Sequence, residues 1–151
     1  MGLDMYLSAE RYLWTHDTED KMISDQVANL LGLRFDQERG RVTTIRAEAM
    51  YWRKANAIHR WFVENVQGGE DNCQPYYVSR EQLIALRDQC KAVSRKEVCA
   101  TETLPTESGF FFGSTDYDEY YWNDIDNTIM GIDQALETFD ENWEFSYQAS
   151  W

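Results

Sequence analysis

The sequence predicts a single α+β domain, about four helices packed on a small, mostly antiparallel sheet. Three observations carry this. The 151 residues make one domain of ordinary size, and 43% of them are hydrophobic, enough for a real core. Both ends of the chain alternate apolar and polar residues with the period of a strand. Between them, apolar residues recur at helical spacing in four stretches, with no linker, repeat or low-complexity tract to divide residues 1–151.

Taken in order, Leu3-Asp4-Met5-Tyr6-Leu7 alternates and Arg11-Tyr12-Leu13-Trp14 continues it, which predicts a strand or a hairpin. Asp17 or Thr18 then caps a helix carrying Ile23, Val27, Leu30 and Leu31, and Gly32 stands where a left-handed C-cap belongs. The β-branched run 41–46 reads as a second strand. Residues 50–67 read as a helix that stops at Gly68-Gly69, followed by a turn-rich loop through Asp71-Asn72 and Pro75. Ser79 with Gln82 is a capping box for a helix with Leu83, Leu86, Cys90 and Val93 on one face. Residues 96–115 read as loop around Phe110-Phe111-Phe112. Asp116 with Glu119 resembles a further capping box and opens the longest helix, striped by Tyr121, Ile125, Ile129, Ile132, Leu136 and Phe139. The strictly alternating end, 143–151, is a strand.

Charge excludes several classes. The chain holds 14 Lys+Arg against 27 Asp+Glu, a net charge of −13. Binding nucleic acid over a broad surface needs a surplus of bases, so direct nucleic-acid binding is not expected. No run approaches the roughly 18 apolar residues of a membrane span, and no basic region leads into an apolar one at the N-terminus. Cys73, Cys90 and Cys99 are odd in number and form no CxxC pair, which fits reduced thiols and a cytoplasmic location. The entire excess charge sits in residues 97–151, which carry 13 acids and no base.

Signatures of common enzyme classes are missing: there is no GxxxxGK[ST], GxGxxG or GxSxG. With only His16 and His59 there is little material for a metal site or a His-based triad, so no catalytic residue, metal or cofactor is expected. Two constellations do carry chemistry. Taken as one helix, residues 51–62 turn Tyr51, Ala55, Ile58 and Phe62 to the core. Its flank then presents Trp52, Asn56 and His59, with Arg53 and Arg60 beyond. An aromatic ring, an amide, an imidazole and two guanidinium groups suit a planar base joined to a phosphate. In the second, glycines bracket Phe110, Phe111 and Phe112, and Ser114 and Asp116 follow at a helix start. Three adjacent aromatics cannot all enter one core, so at least one is expected at a groove or interface.

The opening Met1-Gly2-Leu3-Asp4-Met5-Tyr6-Leu7, the block from Tyr51 to Phe62 and the block from Gly109 to Trp122 together resemble a family of small uncharacterised proteins encoded by tailed phages and prophages. The resemblance covers most of the chain. It implies a phage accessory protein acting in the cytoplasm of the infected host, of the kind that opposes bacterial defence, and it supplies no catalytic residues.

The expected function is therefore sequestration, without turnover, of a small nucleotide-like ligand that serves a host defence. Trp52 and one of Phe110–Phe112 would stack on the base, Arg53 and Arg60 would meet phosphate, and Asn56 and His59 would read polar edges. An enzymatic version would pair His59 with Asp116 or Glu119. The alternative is an acidic mimic of nucleic acid, binding a basic host defence protein through Asp126, Asp133, Glu137 and Asp140. A surplus of aromatic side chains predicts self-association, with the C-terminal strand as the pairing edge.

Overall fold

The computed structural model describes residues 2–36 and 39–151; Met1, first of the opening block, lies outside the described residues. The chain runs β1 (Asp4–Tyr12), α1 (Thr18–Leu30), β2 (Thr44–Arg53), α2 (Asn56–Asn65), β3 (Tyr76–Val78), α3 (Arg80–Ser94), α4 (Ala100–Thr103), α5 (Glu119–Thr138) and β4 (Glu144–Ser150). The four strands form one sheet in the order β2-β1-β4-β3, with every pair antiparallel. The result is the α+β architecture that the sequence predicts.

Alternation decides which face of the sheet is covered. Met5, Leu7 and Ala9 of β1, Phe145, Tyr147 and Ala149 of β4 and Trp52 of β2 are buried together. Ile58 and Phe62 of α2, Leu83, Leu86 and Cys90 of α3, and Ile125 and Ile132 of α5 close over them. Phe62 lies flat on Tyr147, ring centres 3.8 Å apart. Burial pushes the Cys90 thiol up to about 12, which leaves it an inert core group.

Several local signals act as the sequence suggests. Asp17 caps α1 by accepting from the Asp20 N–H, and Gly32 follows that helix at φ +67°. Ser79 and Gln82 form the full capping box of α3. Other expectations are corrected. The helix foreseen from residue 50 begins only at Asn56, because Met50, Tyr51, Trp52 and Arg53 pair with Leu7, Tyr6, Met5 and Asp4 as the end of β2. Lys54, at φ +59°, ends the strand. The strand read at 41–46 is displaced to 44–53 for the same reason: cross-strand pairing overrides local spacing. The cap of α5 is Asp118, which accepts from the Tyr120 and Tyr121 N–H groups, while Asp116 takes part only in a turn with the Ser114 hydroxyl. β1 is one continuous strand and not a hairpin, and the short β3 and α4 fall in stretches read as loop. β4 lies between β1 and β3, so the C-terminal strand is not the edge expected to pair two copies.

Candidate functional site

The block 51–62 is divided by the turn at Lys54, so its side chains part company. Trp52 is 4% exposed, and its indole N–H donates to Thr128 Oγ1 at 2.8 Å. It packs edge-on to Phe62 and has no face left for a ligand. His59 is fully buried: Nδ1 meets the Tyr147 hydroxyl at 2.8 Å and Nε2 meets Asp71 Oδ2 at 3.0 Å. Asp71 Oδ1 also accepts from the Trp151 indole N–H at 3.1 Å. Both ring nitrogens are thereby engaged, and the pairing of His59 with Asp116 or Glu119 does not form. Arg60 turns along its own helix to Glu64, 2.8 Å away.

Asn56 does different work. Its amide N–H₂ donates to the Phe112 and Ser114 carbonyls at 3.2 and 2.8 Å, and its Oδ1 accepts from the Glu107 N–H at 3.1 Å. One buried side chain thus pins the loop 107–114 against the start of α2. Within that loop Phe112 enters the core edge-on to His59, whereas Phe110 is 77% exposed and Phe111 about half exposed. Gly113, at φ +94°, brings the loop backbone against Lys54, where an added Cβ would stand 3.2 Å from the Lys54 Cβ.

The pinned loop creates a cleft of about 420 Å³ between the β2–α2 turn, residues 106–118 and the first turns of α5. Its walls bring together four of the residues singled out from sequence: Arg53, Asn56, Ser114 and Asp116. Trp52, His59, Arg60, Phe110, Phe111 and Phe112 do not line it. Lys54, Thr106, Asp118, Tyr120 and Asp124 line it as well. Neither Lys54 nor Asp124 is among the candidate residues read from the sequence.

Three features give the cleft its chemistry. The first turn of α2 forms one wall, and no side chain caps this helix. Asn56 and His59 N–H groups find the Lys54 and Ala55 carbonyls, but the buried N–H groups of Ala57 and Ile58 have no partner among the described residues. Arg53 and Lys54 stand beside this wall; Arg53 reaches only Asp4, at 3.9 Å, and Lys54 forms no ion pair among the described residues. Opposite, the half-buried Asp124 carboxylate has no hydrogen-bond partner among the described residues, and burial, with Asp118 nearby, raises its pKa to about 6. Free amides and cations on one side accept an anion. The Asp124 carboxylate, beside Asp116 and Asp118, accepts hydroxyl or amino donors.

The described residues gather no group of three His, Cys, Asp or Glu side chains suited to a metal ion, and contain no helix long and apolar enough to cross a membrane. On α5, Asp133 is held by Arg87 and Lys91, each at 3.0 Å, and Asp126 accepts from the Ser94 hydroxyl. Arg80 of α3 also donates to the Asp140 carbonyl, while the Asp140 carboxylate accepts from the Asn142 N–H. No family model, curated protein or solved structure matches the chain. Fold and site together define a small α+β protein with a charged, two-sided cleft at the start of α2.

Proposed function

We propose that this protein binds a small nucleotide-like ligand in the cleft and holds it without turnover. Carried by the resemblance to phage proteins, the biological role is to sequester a ligand used by a host antiviral defence. The observation that supports this most is the uncapped first turn of α2: the N–H groups of Ala57 and Ile58, without partners among the described residues, belong to a cleft flanked by Arg53 and Lys54. A phosphate supplies the acceptors those amides lack. A ribose diol supplies donors to Asp124. Tyr120, 77% exposed at the rim, takes the stacking role first given to Trp52.

Binding without turnover suits these groups. The histidine is enclosed and doubly bonded, so the cleft has carboxylates and cations but no imidazole. The acidic-mimic alternative has less to work with, since two of its four carboxylates are spent on α3. Thermal-shift screening and calorimetry against cyclic di- and trinucleotides, ADP-ribose derivatives and inorganic phosphate test the proposal. At least one nucleotide is expected to raise the melting temperature and to be recovered intact after denaturation of the complex. Stabilisation by none of them overturns the ligand; recovery of a changed ligand overturns the absence of turnover.

A further inference from the structure

Strand β2 forms an edge of the sheet, paired with β1 on one side at every residue but Ala49 and, among the described residues, with no strand on the other. A register shift opposite Leu7 and Ser8 divides it into two regular stretches, 44–48 and 50–53. Arg46 and Glu48 stand opposite Glu10 and Ser8, on the face turned away from the helices. Both are exposed, and neither forms an ion pair among the described residues; Arg46 reaches only the Ser8 hydroxyl, at 2.9 Å.

The helix above this edge carries a second signal. Gly131 of α5 rests on Met50 of β2 so closely that any side chain there would run into it. The side of α5 that continues from this contact bears Asn127, Gly131, Gln134 and Thr138, none of them charged. That is unusual in a segment, residues 97–151, with 13 acids and no base. Its other flank, toward α3, carries Asp126 and Asp133. Two acidic chains approach with least repulsion where carboxylates are missing, and interface centres are depleted of charge.

We propose that a second copy of this chain pairs along β2, antiparallel across a two-fold axis at Ala47, joining two sheets into one of eight strands. The register follows from charge. An axis at Ala47 sets Arg46 of each chain opposite Glu48 of the other, twice over by symmetry. An axis at Glu48 would oppose two like carboxylates, and one between Ala47 and Glu48 would leave both charges unmatched. The uncharged sides of the two α5 helices then flank the joined sheets. The cleft at Lys54 lies outside this contact, so pairing and ligand binding are tested separately.

Sedimentation velocity over a range of concentrations reads the pairing directly. The wild-type chain is expected to sediment at twice the chain mass. Glu48→Arg or Arg46→Glu alone turns both attractive pairs repulsive and is expected to weaken association at least about tenfold. Combining the two restores it. Circular dichroism checks that each variant folds. For any variant that does not, concentration-dependent exchange protection of the wild-type amides at 44–48 serves as the second readout. A wild type that stays monomeric, a dimer indifferent to either reversal, or edge amides that exchange alike at all concentrations would overturn the proposal. The first of these outcomes would assign Arg46 and Glu48 to guarding the edge against pairing.

Discussion

Two polar clusters meet the start of α2, and they are opposites. Around His59, every group is spent: Tyr147, Asp71 and Trp151 complete a chain of hydrogen bonds that runs from the core to the surface and ties the C-terminus and the loop after α2 to the core. Around Lys54, groups of equal polarity are left over: two amides, two cations and a half-buried carboxylate. Lys54 and His59 stand five positions apart along the chain, yet one cluster builds the fold and the other is free to bind. Polar residues in a promising pattern are thus told apart by whether their hydrogen bonds are already made.

The largest expected effect breaks the first cluster. His59→Ala strands the Tyr147 hydroxyl and Asp71 in or near the core, and it should cost about 3 kcal/mol in urea unfolding. A cost below about 1 kcal/mol would mean that the cluster does not hold the C-terminus. Asn56→Ala comes next, because Asn56 pins the loop that forms one wall of the cleft. Losing three bonds to the 107–114 backbone should cost about 2 kcal/mol, speed hydrogen exchange at Ser114 and reduce ligand binding.

The second cluster should respond in the contrary way. Arg53→Gln with Lys54→Gln is expected to change stability by no more than about 0.5 kcal/mol, since neither side chain supports the core. Calorimetry should nonetheless show nucleotide affinity weakened about tenfold to a hundredfold, the worth of one or two charge-assisted bonds. The smallest effect concerns Asp124. Its carboxyl titrates near 6 in the folded protein, above its ordinary value of 3.8, because burial and Asp118 disfavour the charge. The folded state holds that proton more tightly, so its stabilising effect is complete below about pH 4 and is lost as pH rises through 6. Asp124→Asn should therefore match the wild type in acid and melt slightly higher above pH 6. Arg53, Lys54, Asp116, Asp118 and Tyr120 share the cleft with Asp124, and their charges set the background of that comparison. In the wild type, ionised Asp124 accepts ligand hydroxyls, so affinity should rise over the same interval and stay flat in Asp124→Asn.

Much of the fold was legible because it is locally written. The capping box at Ser79, the cap at Asp17 and the alternation of β4 each act within a few residues. The site was half legible. Residues 51–53 satisfy helical spacing and strand alternation alike, and pairing with Asp4, Met5 and Tyr6 some 47 residues away decides between them. Once that pairing turns Trp52 into the core and Arg53 outward, the flank drawn on one helix no longer exists. Arg53, Asn56, Ser114 and Asp116 still converge, because Asn56 draws the glycine-bounded loop onto the start of α2. Asp124 carried no signal of its own; only the loop that covers it distinguishes it from the solvated acids of α5.

The claim that the cleft beside Lys54 is the binding site is tested most directly by amide chemical shifts. A uniformly ¹⁵N-labelled sample would be titrated with a nucleotide that raises the melting temperature. The largest shifts are expected at Ala57 and Ile58, whose N–H groups gain an acceptor, followed by Lys54, Ser114 and Tyr120. Shifts confined to α1 or to the α3–α5 face, with Ala57 and Ile58 unmoved, would contradict the account.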